Sequence, residues 1–218
     1  MLVNFKTKNI KAVVFDYDNT LADESYWIKN RWKKTNQFVE NKYNFFNYSQ
    51  AFWENYYCND NIFNIVNKTL NDIDANISVV DDIVNFYKKA IVNEKLFKGS
   101  IGCLNYLKKN NYLIGIITNG KKHTHEDRIK KAKLFKYIDV VLYGDEKQKP
   151  SIDLFIECAN KLNIEIHNMV YIGDDYNNDY LASERAGCIP ILFDNKKMNT
   201  SKNHCNKINS LKLLIKIF

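Results

Sequence analysis

The sequence predicts an α/β fold in which a parallel sheet is flanked by helices. Four apolar runs of strand length each end in polar residues, and segments with helical spacing lie between them. In open α/β sheets, ligands bind at the carboxyl ends of the strands. The four strand ends are therefore the place to look for chemistry. A chain of 218 residues with 45% hydrophobic content is long enough to bury a sizeable core.

The first apolar run ends in two carboxylates, Asp16 and Asp18. On a continuing strand they face the same side, and in the turn that follows both can point into one pocket. Two such close charges either hold a cation or divide into an ionised and a protonated carboxyl, which gives a nucleophile beside an acid. A solvated turn explains the pair equally well when it is taken alone. A calcium loop does not, because an EF-hand starting at Asp16 needs Gly and Glu where the chain has Leu21 and Trp27.

The strand pattern stops between about Thr20 and Lys98, and the spacing becomes helical with a heavy aromatic load. This predicts an all-helical insertion over residues 21–97, between core segments 1–20 and 98–218. Aromatic side chains at helical spacing mostly fill a unit's own core, with a minority left to line a substrate cleft.

The last helix of the insertion is predicted over residues 78–93, with an apolar face that includes Ile83, Tyr87 and Ile91. The chain then returns to the core at Gly99. The two crossings, at 21–25 and 96–99, are the candidate hinges.

The second and third strand ends carry groups suited to binding an anion. The run at 113–117 leads into Thr118-Asn119-Gly120, which offers a hydroxyl donor and a glycine that lets backbone N–H groups close on an anion. The run at 140–143 is followed by Lys149-Pro150, just ahead of a predicted helix. Taken singly, such a tripeptide or lysine is commonplace on a protein surface.

The fourth run, residues 169–172, ends in Gly173-Asp174-Asp175, and Asp179 follows at the start of a predicted helix. Three carboxylates near a helix start are also typical of capping and of interaction with the helix dipole. The order of the four ends is more specific than any one of them.

That order, Asp-x-Asp, Thr, Lys and Asp-Asp, resembles the motifs of the haloacid dehalogenase-like (HAD) hydrolases, which converge on one site. The resemblance extends from about Lys11 to about Asp194, apart from the insertion. It implies a Rossmann-like parallel sheet and a helical cap. Two residues depart from the pattern, since similar phosphatases often carry Gln in place of His125 and Gly in place of Lys133.

By this resemblance, Asp16 attacks phosphorus and forms an aspartyl-phosphate. Asp18 protonates the leaving oxygen and then takes a proton from the water that hydrolyses the intermediate. Lys149 offsets the charge that the nucleophile and the phosphate bring together. The residues expected to hold the phosphoryl group are Thr118, Asn119, Gly120 and Lys149.

The resemblance also implies Mg²⁺, a hard cation that prefers oxygen ligands. Its expected ligands are the Asp16 carboxylate, the Asp18 backbone carbonyl and Asp174, with waters. Asp179 is expected to orient these ligands without touching the metal. For Asp175 two roles remain open, sharing the metal or capping the following helix.

Asp18 favours phosphomonoester hydrolysis, because similar enzymes that displace halide or cleave carbon–phosphorus bonds lack an acid there. The expected substrate is a small phosphorylated metabolite such as a sugar phosphate or a nucleoside monophosphate. A phosphoglucomutase-like phosphoryl transferase and a non-catalytic binding protein of the same fold are the alternatives. A signalling receiver is disfavoured, because in receivers the acidic pair precedes the phosphorylated aspartate.

The net charge of +7 does not indicate nucleic-acid binding, because lysine pairs are scattered along the chain. No apolar stretch approaches membrane-spanning length, and no secretory signal is evident, so a cytoplasmic protein is expected. The five dispersed cysteines suggest neither disulfides nor a zinc site. His123 and His125 are expected to diverge on a helix rather than bind a metal together. The expected assembly is a monomer or a weak homodimer.

Overall fold

The computed structural model describes residues 9–56, 61–195 and 205–218. By their contacts these residues form two units. The core unit contains the chain up to Glu24 and from Glu94 onward, and the helical unit is Ser25–Asn93. Cys58, one of the five cysteines, lies outside the described part of the chain.

A six-stranded sheet with parallel pairing forms the centre of the core unit, in the order β3-β2-β1-β4-β5-β6. The fold is thus the α/β, Rossmann-like class that the sequence predicts. The strands are β1 (Ala12–Phe15), β2 (Leu113–Thr118), β3 (Val140–Tyr143), β4 (Met169–Gly173), β5 (Ile189–Phe193) and β6 (Lys207–Ile208).

The described α-helices are α1 (Glu24–Tyr43), α2 (Tyr48–Tyr56), α3 (Ile62–Asp72), α4 (Val80–Lys89), α5 (Ser100–Lys109), α6 (Lys122–Lys131), α7 (Asp153–Lys161), α8 (Ala182–Ala186) and α9 (Leu214–Ile217). Short 3₁₀ turns cover Ile77–Val79, Ile166–Asn168 and Leu211–Leu213, and a π-helical turn covers Tyr176–Leu181. Within the described ranges, no helix has both the length and the apolar character needed to cross a bilayer.

Strand β1 is buried on both faces, which explains its unbroken apolar sequence. Val13 and Phe15 belong to one apolar cluster, whereas Ala12 and Val14 belong to the cluster on the opposite face. β1 pairs with β2 on one side and β4 on the other, and Phe15 is in register with Ile116 and Ile172. The strand order therefore reverses beside β1, and the carboxyl ends of β1, β2 and β4 meet at one edge.

Two strands, β5 and β6, are missing from the prediction. β5 includes Pro190, a residue that weakens a strand signal, and β6 has only two residues. Pairing with β4 defines β5, and pairing with β5 defines β6. Residues 211–218 pack against the core, because Leu211, Leu214 and Phe218 are buried in the same cluster as Val13.

The helical unit has its own aromatic core. The Trp32 ring stacks on Tyr87 at 4.1 Å and contacts Phe52 at 4.2 Å between centroids. Trp32, Tyr48 and Phe52 are almost completely buried. The expectation that the aromatic side chains mostly fill the interior of this unit is confirmed for these residues.

Helix α4 ends at Lys89, so the prediction of a helix to residue 93 is wrong at its carboxyl end. Arg31 of α1 donates hydrogen bonds to the carbonyls of Lys88 and Ala90, which satisfies acceptors left free by the helix end. Ala90 is extended, and Ile91 is 63% exposed instead of lying on the apolar face. The carboxyl end of the helix is thus capped by a residue about sixty positions earlier in the chain.

The two chain crossings pair with each other inside the core unit. Ala22 forms an antiparallel bridge with Leu96, and the Asp23 N–H donates to the Lys95 carbonyl at 2.8 Å. The Phe97 N–H donates to the Leu21 carbonyl at 3.0 Å. These parts of the predicted hinge segments are therefore joined by hydrogen bonds.

Lys133, the position where similar phosphatases carry Gly, has a φ of +56°. This left-handed conformation follows the end of α6 and favours glycine. The preference for Gly there is a backbone requirement, which this chain meets with lysine.

Candidate active site

The carboxyl edge of the sheet surrounds a cavity of about 390 Å³. Eight of the nine predicted site residues line it, and Asp179 is the exception. Four further residues complete the wall, namely Asn19, Glu24, His125 and Asn178. The sheet topology therefore brings together side chains that are up to 162 positions apart, from Asp16 to Asn178.

Lys149 is the centre of a buried ion cluster. Its ammonium donates to Asp16 Oδ1 at 2.7 Å, to Asp179 Oδ1 at 2.6 Å and to the Tyr171 hydroxyl at 2.9 Å. All three N–H groups of the ammonium therefore have acceptors. The Lys149 side chain is only 3% exposed, so these bonds fix its position beside Asp16.

The pKa values of this cluster show an excess of negative charge. Burial raises the pKa of Asp16 well above its ordinary value, and Asp179 and Asp174 add to the effect against the opposing charge of Lys149. Burial, followed by the charge of Asp179, raises the pKa of Asp174 to about 7. Burial alone lowers the pKa of Lys149, but Asp16 and Asp179 outweigh it, and the net shift is upward. One ammonium does not balance three carboxylates.

The donor set fits a hard divalent cation. Carboxylate oxygens of Asp16, Asp174 and Asp179 lie within 4.8 Å of one another. Both oxygens of Asp179 already accept hydrogen bonds, Oδ1 from Lys149 and Tyr171 and Oδ2 from the Asp175 N–H at 3.0 Å. Of the three residues, Asp16 and Asp174 line the cavity, so their carboxylates are the ones that could hold an ion.

The raised pKa values predict that the metal-free protein loses stability as the pH rises from 5 to 8. Between the ordinary value of 3.8 and about 7, folded Asp174 holds a proton that the unfolded chain has released. The free energy of unfolding therefore falls with rising pH in this window, and Asp16 acts in the same direction. The pKa of Asp18 is lowered, so its stabilising contribution is present above about pH 4 and is lost only as the pH falls further.

Urea unfolding in the presence of a chelator would measure this dependence. Asp174→Asn should flatten it, and saturating Mg²⁺ should reverse it, because bound metal replaces the proton. A stability that rises through pH 7, or an Asp174→Asn profile identical to that of the parent, would contradict the assignment.

Asp175 caps the turn that follows β4. Its Oδ1 accepts from the Asn177 N–H at 2.8 Å and the Asn178 N–H at 2.7 Å. Of the two roles open from the sequence, the geometry thus shows capping. Gly173 is required by the neighbouring turn, since a Cβ there would lie 2.2 Å from Asp179 Cγ.

The β2 end is organised around Thr118 and Asn119. The buried Thr118 Oγ1 accepts from the Gly120 N–H at 3.1 Å. The Asn119 amide donates to the Lys149 carbonyl at 3.0 Å, and its oxygen accepts from the Lys149 N–H at 2.7 Å. The Asn119 side chain therefore holds the backbone of Lys149, a role that the sequence analysis does not predict.

Asp18 belongs to a second cluster with different partners. His125 Nε2 lies 2.7 Å from Asp18 Oδ2, and Arg128 NH1 lies 2.8 Å from Asp18 Oδ1. Arg128 in turn pairs with Glu94 through contacts of 2.7 and 3.2 Å. None of the four strand-end motifs contains His125, Arg128 or Glu94, so these site residues are not predicted from the sequence. A signal was present, because residues three apart on a helix share a face and His125 departs from the family pattern.

These partners change the ionisation of Asp18. Burial opposes the charged form, but the hydrogen bond from His125 and the positive charge of Arg128 outweigh it and lower the pKa of Asp18. The two aspartates of the first motif are thus shifted in opposite directions, Asp16 upward and Asp18 downward. In the free protein it is Asp18 that favours the ionised form.

Gly120→Ala is expected to disrupt the Asp18 cluster. A Cβ at this position would lie 1.9 Å from Cε1 of the buried His125 ring, so the ring must move. We expect a loss of stability of about 1–3 kcal/mol and, for the phosphatase activity that the family resemblance implies, a fall in kcat of at least about tenfold. Thermal unfolding and steady-state kinetics would measure both, with Gly102→Ala as control, because nothing lies within 4 Å of a Cβ there. A Gly120→Ala enzyme with parental kcat would contradict the expectation.

Fold and site together define a Rossmann-like α/β protein with a buried aspartate–lysine site at the carboxyl edge of its sheet. The chain belongs to the haloacid dehalogenase-like hydrolase family, whose model matches residues 13–192.

Among known proteins, the chain is 23% identical over 210 residues to a glyceraldehyde 3-phosphate phosphatase of Methanothermobacter thermautotrophicus, covering 91% of this chain and 92% of that protein. It is 22% identical over 207 residues to the human N-acylneuraminate-9-phosphatase, covering 86% and 83%. Its structure resembles a 2-haloacid dehalogenase from Pseudomonas syringae with a TM-score of 0.68 at 17% identity, covering 95% and 97%. The same fold is thus found in a dehalogenase. The reaction therefore has to be inferred from the site residues and not from the fold.

Proposed function

We propose that this protein is a Mg²⁺-dependent phosphomonoester hydrolase that acts on a small phosphorylated metabolite, such as a sugar phosphate or a nucleoside monophosphate. The observation that carries the proposal is that Asp16 and Asp18 line one cavity but have separate partners. Asp16 lies beside Lys149, and Asp18 lies beside His125 and Arg128. Separate partners allow the two carboxylates to take two different roles. The pKa shifts of the metal-free protein, upward for Asp16 and downward for Asp18, are the reverse of what a nucleophile and an acid need, so the proposal requires a cation beside Asp16 and a phosphate beside Asp18 to change them.

Asp16 is the proposed nucleophile. Its carboxylate attacks phosphorus, the bond to the leaving oxygen breaks, and an aspartyl-phosphate forms. Lys149 offsets the charge gathered at the phosphoryl group, while the Thr118 hydroxyl and the backbone N–H of Asn119 hold the phosphoryl oxygens. The Gly120 N–H, which donates to Thr118 Oγ1, orients that hydroxyl. Asp179 and Tyr171 support the arrangement through their bonds to Lys149.

Asp18 is the proposed acid and base. It gives a proton to the leaving oxygen and later takes one from the water that hydrolyses the aspartyl-phosphate. The anionic phosphate close to Asp18 raises its pKa when substrate binds, which supports the first of these steps. In the second step, His125 and Arg128 favour the ionised carboxylate that must act as a base.

The proposed ligands of Mg²⁺ are the carboxylates of Asp16 and Asp174 and the backbone carbonyl of Asp18. The ion would supply positive charge that reduces repulsion between the nucleophile and the phosphate. Asp179 orients the site through Lys149, and Asp175 caps the adjacent turn.

Two features favour phosphate ester hydrolysis over dehalogenation. Asp18 supplies an acid that an alkoxide leaving group needs and a halide does not. The curated relatives named above are both phosphatases, whereas the likeness to the dehalogenase concerns the fold. Polar side chains at the cavity wall, Asn19, Glu24 and Asn178, favour a hydroxylated leaving group over an apolar one.

A panel of phosphate monoesters, assayed for inorganic phosphate with Mg²⁺ and with a chelator, tests the proposal. We expect metal-dependent release from a subset of sugar phosphates or nucleoside monophosphates and no halide release from 2-haloacids. Isomerisation of a sugar phosphate without release would support the phosphoryl transferase alternative. The absence of any turnover across the panel would contradict the proposal and favour a binding protein.

A further inference from the structure

We propose that His125 and Arg128 are positioning residues that hold the Asp18 carboxylate in its working orientation, and that Glu94 holds Arg128 in place. The inference rests on the proposed function, because it assigns Asp18 the acid and base role. It adds three residues to the site that the four sequence motifs do not contain.

The two oxygens of Asp18 have different partners. His125 Nε2 lies 2.7 Å from Oδ2, and Arg128 NH1 lies 2.8 Å from Oδ1. A carboxylate held by one donor can still rotate about its Cβ–Cγ bond, whereas one held at both oxygens cannot rotate without breaking a contact. The contact at Oδ2 is a hydrogen bond, whereas the contact at Oδ1 is an ion pair without hydrogen-bond geometry. Together they restrict rotation of the carboxylate.

Arg128 is itself held firmly. Its Nε and NH2 groups donate to the two carboxylate oxygens of Glu94 at 2.7 and 3.2 Å. The side chains of Arg128 and Glu94 are 4% and 2% exposed, so solvent screens this pair very little. The Arg128 guanidinium also lies 5.0 Å from the centre of the Tyr17 ring. A flexible side chain is thus made into a rigid partner for Asp18.

His125 is held by its surroundings. Its ring occupies the space that a side chain at position 120 would fill, which is possible because that residue is glycine. The ring also makes an edge contact with Tyr17, with centroids 5.9 Å apart. Tyr17, which lies between the two aspartates in the sequence, therefore contacts both of the proposed positioning residues.

Rigid orientation matters for the proposed reaction because proton transfer depends steeply on geometry. A displacement of about 1 Å at a reacting group can lower the rate by about 10²-fold. His125 and Arg128 bond to Asp18, whereas the Asp16 and Lys149 cluster has its own partners. Loss of a positioning residue should therefore lower kcat and leave KM nearly unchanged.

The first experiment compares His125→Ala and His125→Gln with His123→Ala. His123 is exposed on the same helix and serves as the matched control. With a phosphate monoester that the parent hydrolyses, we expect His125→Ala to lower kcat by about 10- to 100-fold with KM changed less than about threefold. His125→Gln should recover much of the loss, because its amide N–H can donate to Asp18.

The second experiment measures coupling to Asp18. If His125 acts through the Asp18 carboxylate, Asp18→Asn and the double variant Asp18→Asn/His125→Ala should have the same kcat within about twofold. A structural role would instead lower kcat by the same factor in both backgrounds. Equal losses in the two backgrounds would overturn the inference.

Glu94→Gln tests the remaining contact, because it keeps the shape of Glu94 and removes its charge. It should lower kcat in the parent and have no further effect in the Asp18→Asn background. Urea unfolding of each variant separates a loss of folded protein from a change in rate. A parent protein that hydrolyses no ester would overturn the proposed function and this inference together. An active parent in which the substitutions lower kcat equally with and without Asp18→Asn would overturn the inference alone.

Discussion

Asp16→Asn is expected to lower kcat by at least about 10⁴-fold, because an amide cannot serve as the nucleophile that forms the aspartyl-phosphate. The substitution keeps the shape of the side chain and an acceptor for Lys149. Folding should therefore persist, and the repulsion from Asp174 and Asp179 should decrease. Phosphate release at saturating substrate and Mg²⁺ measures the rate, and mass spectrometry of acid-quenched protein detects phosphorylated Asp16 in the parent.

The control for this variant is Asp127→Asn, since Asp127 lies on the exposed face of α6 with 66% of its side chain accessible. It should hydrolyse the ester at the parental rate. If Asp16→Asn kept more than about a tenth of the parental kcat, Asp16 would not be the nucleophile.

Lys149→Met is expected to lower both stability and activity. The substitution keeps a side chain of similar length but leaves Asp16 and Asp179 buried without their shared counter-charge. Removing one partner of a buried ion pair costs about 3–5 kcal/mol in the free energy of unfolding. The loss of a fixed positive charge at the phosphoryl group should lower kcat by at least about 10²-fold. Urea unfolding and steady-state kinetics measure the two effects.

Lys147→Met is the matched control, two residues earlier in the same loop. Lys147 pairs with Asp153 at 3.3 Å, and its side chain is 53% exposed, so its loss should change stability by less than about 1 kcal/mol. Added Mg²⁺ should restore part of the stability of Lys149→Met, because the cation compensates the same carboxylates. A Lys149→Met protein as stable as the control in the absence of metal would show that the buried ion cluster is not formed in solution.

The site residues that can be predicted from the sequence are those at or just after the ends of the strands. Asp16, Thr118, Lys149 and Asp174 each come at or after the end of an apolar run, and the sheet places these ends around one cavity. Asp179 is identifiable from its spacing to Asp174, whereas its bond to Lys149 is a result of the fold. The chemical identity of these residues and their order along the chain are sequence properties, so they can be predicted without the structure.

The partners of Asp18 are not predictable in that way. His125 lies 107 positions from Asp18, and Arg128 lies 34 positions from Glu94. No local period connects such residues, and a histidine and an arginine three apart on a helix are commonplace on a protein surface. The end of α4 at Lys89 and the strands β5 and β6 also depend on contacts between distant residues. Arg31 caps the end of α4, and pairing with neighbouring strands defines β5 and β6.

The α/β class and the carboxylates, hydroxyl and lysine at the strand ends are predictable from sequence, because apolar periodicity and the residues that follow each apolar run are local features of the chain. The contacts between the charged side chains follow from the folded structure. It placed Asp16 with Lys149 and Asp18 with His125 and Arg128, and it made Asp175 a cap. The physical reason is that burial and ion pairing act between residues distant in the chain, and their energies depend on distance in space and not on spacing in sequence.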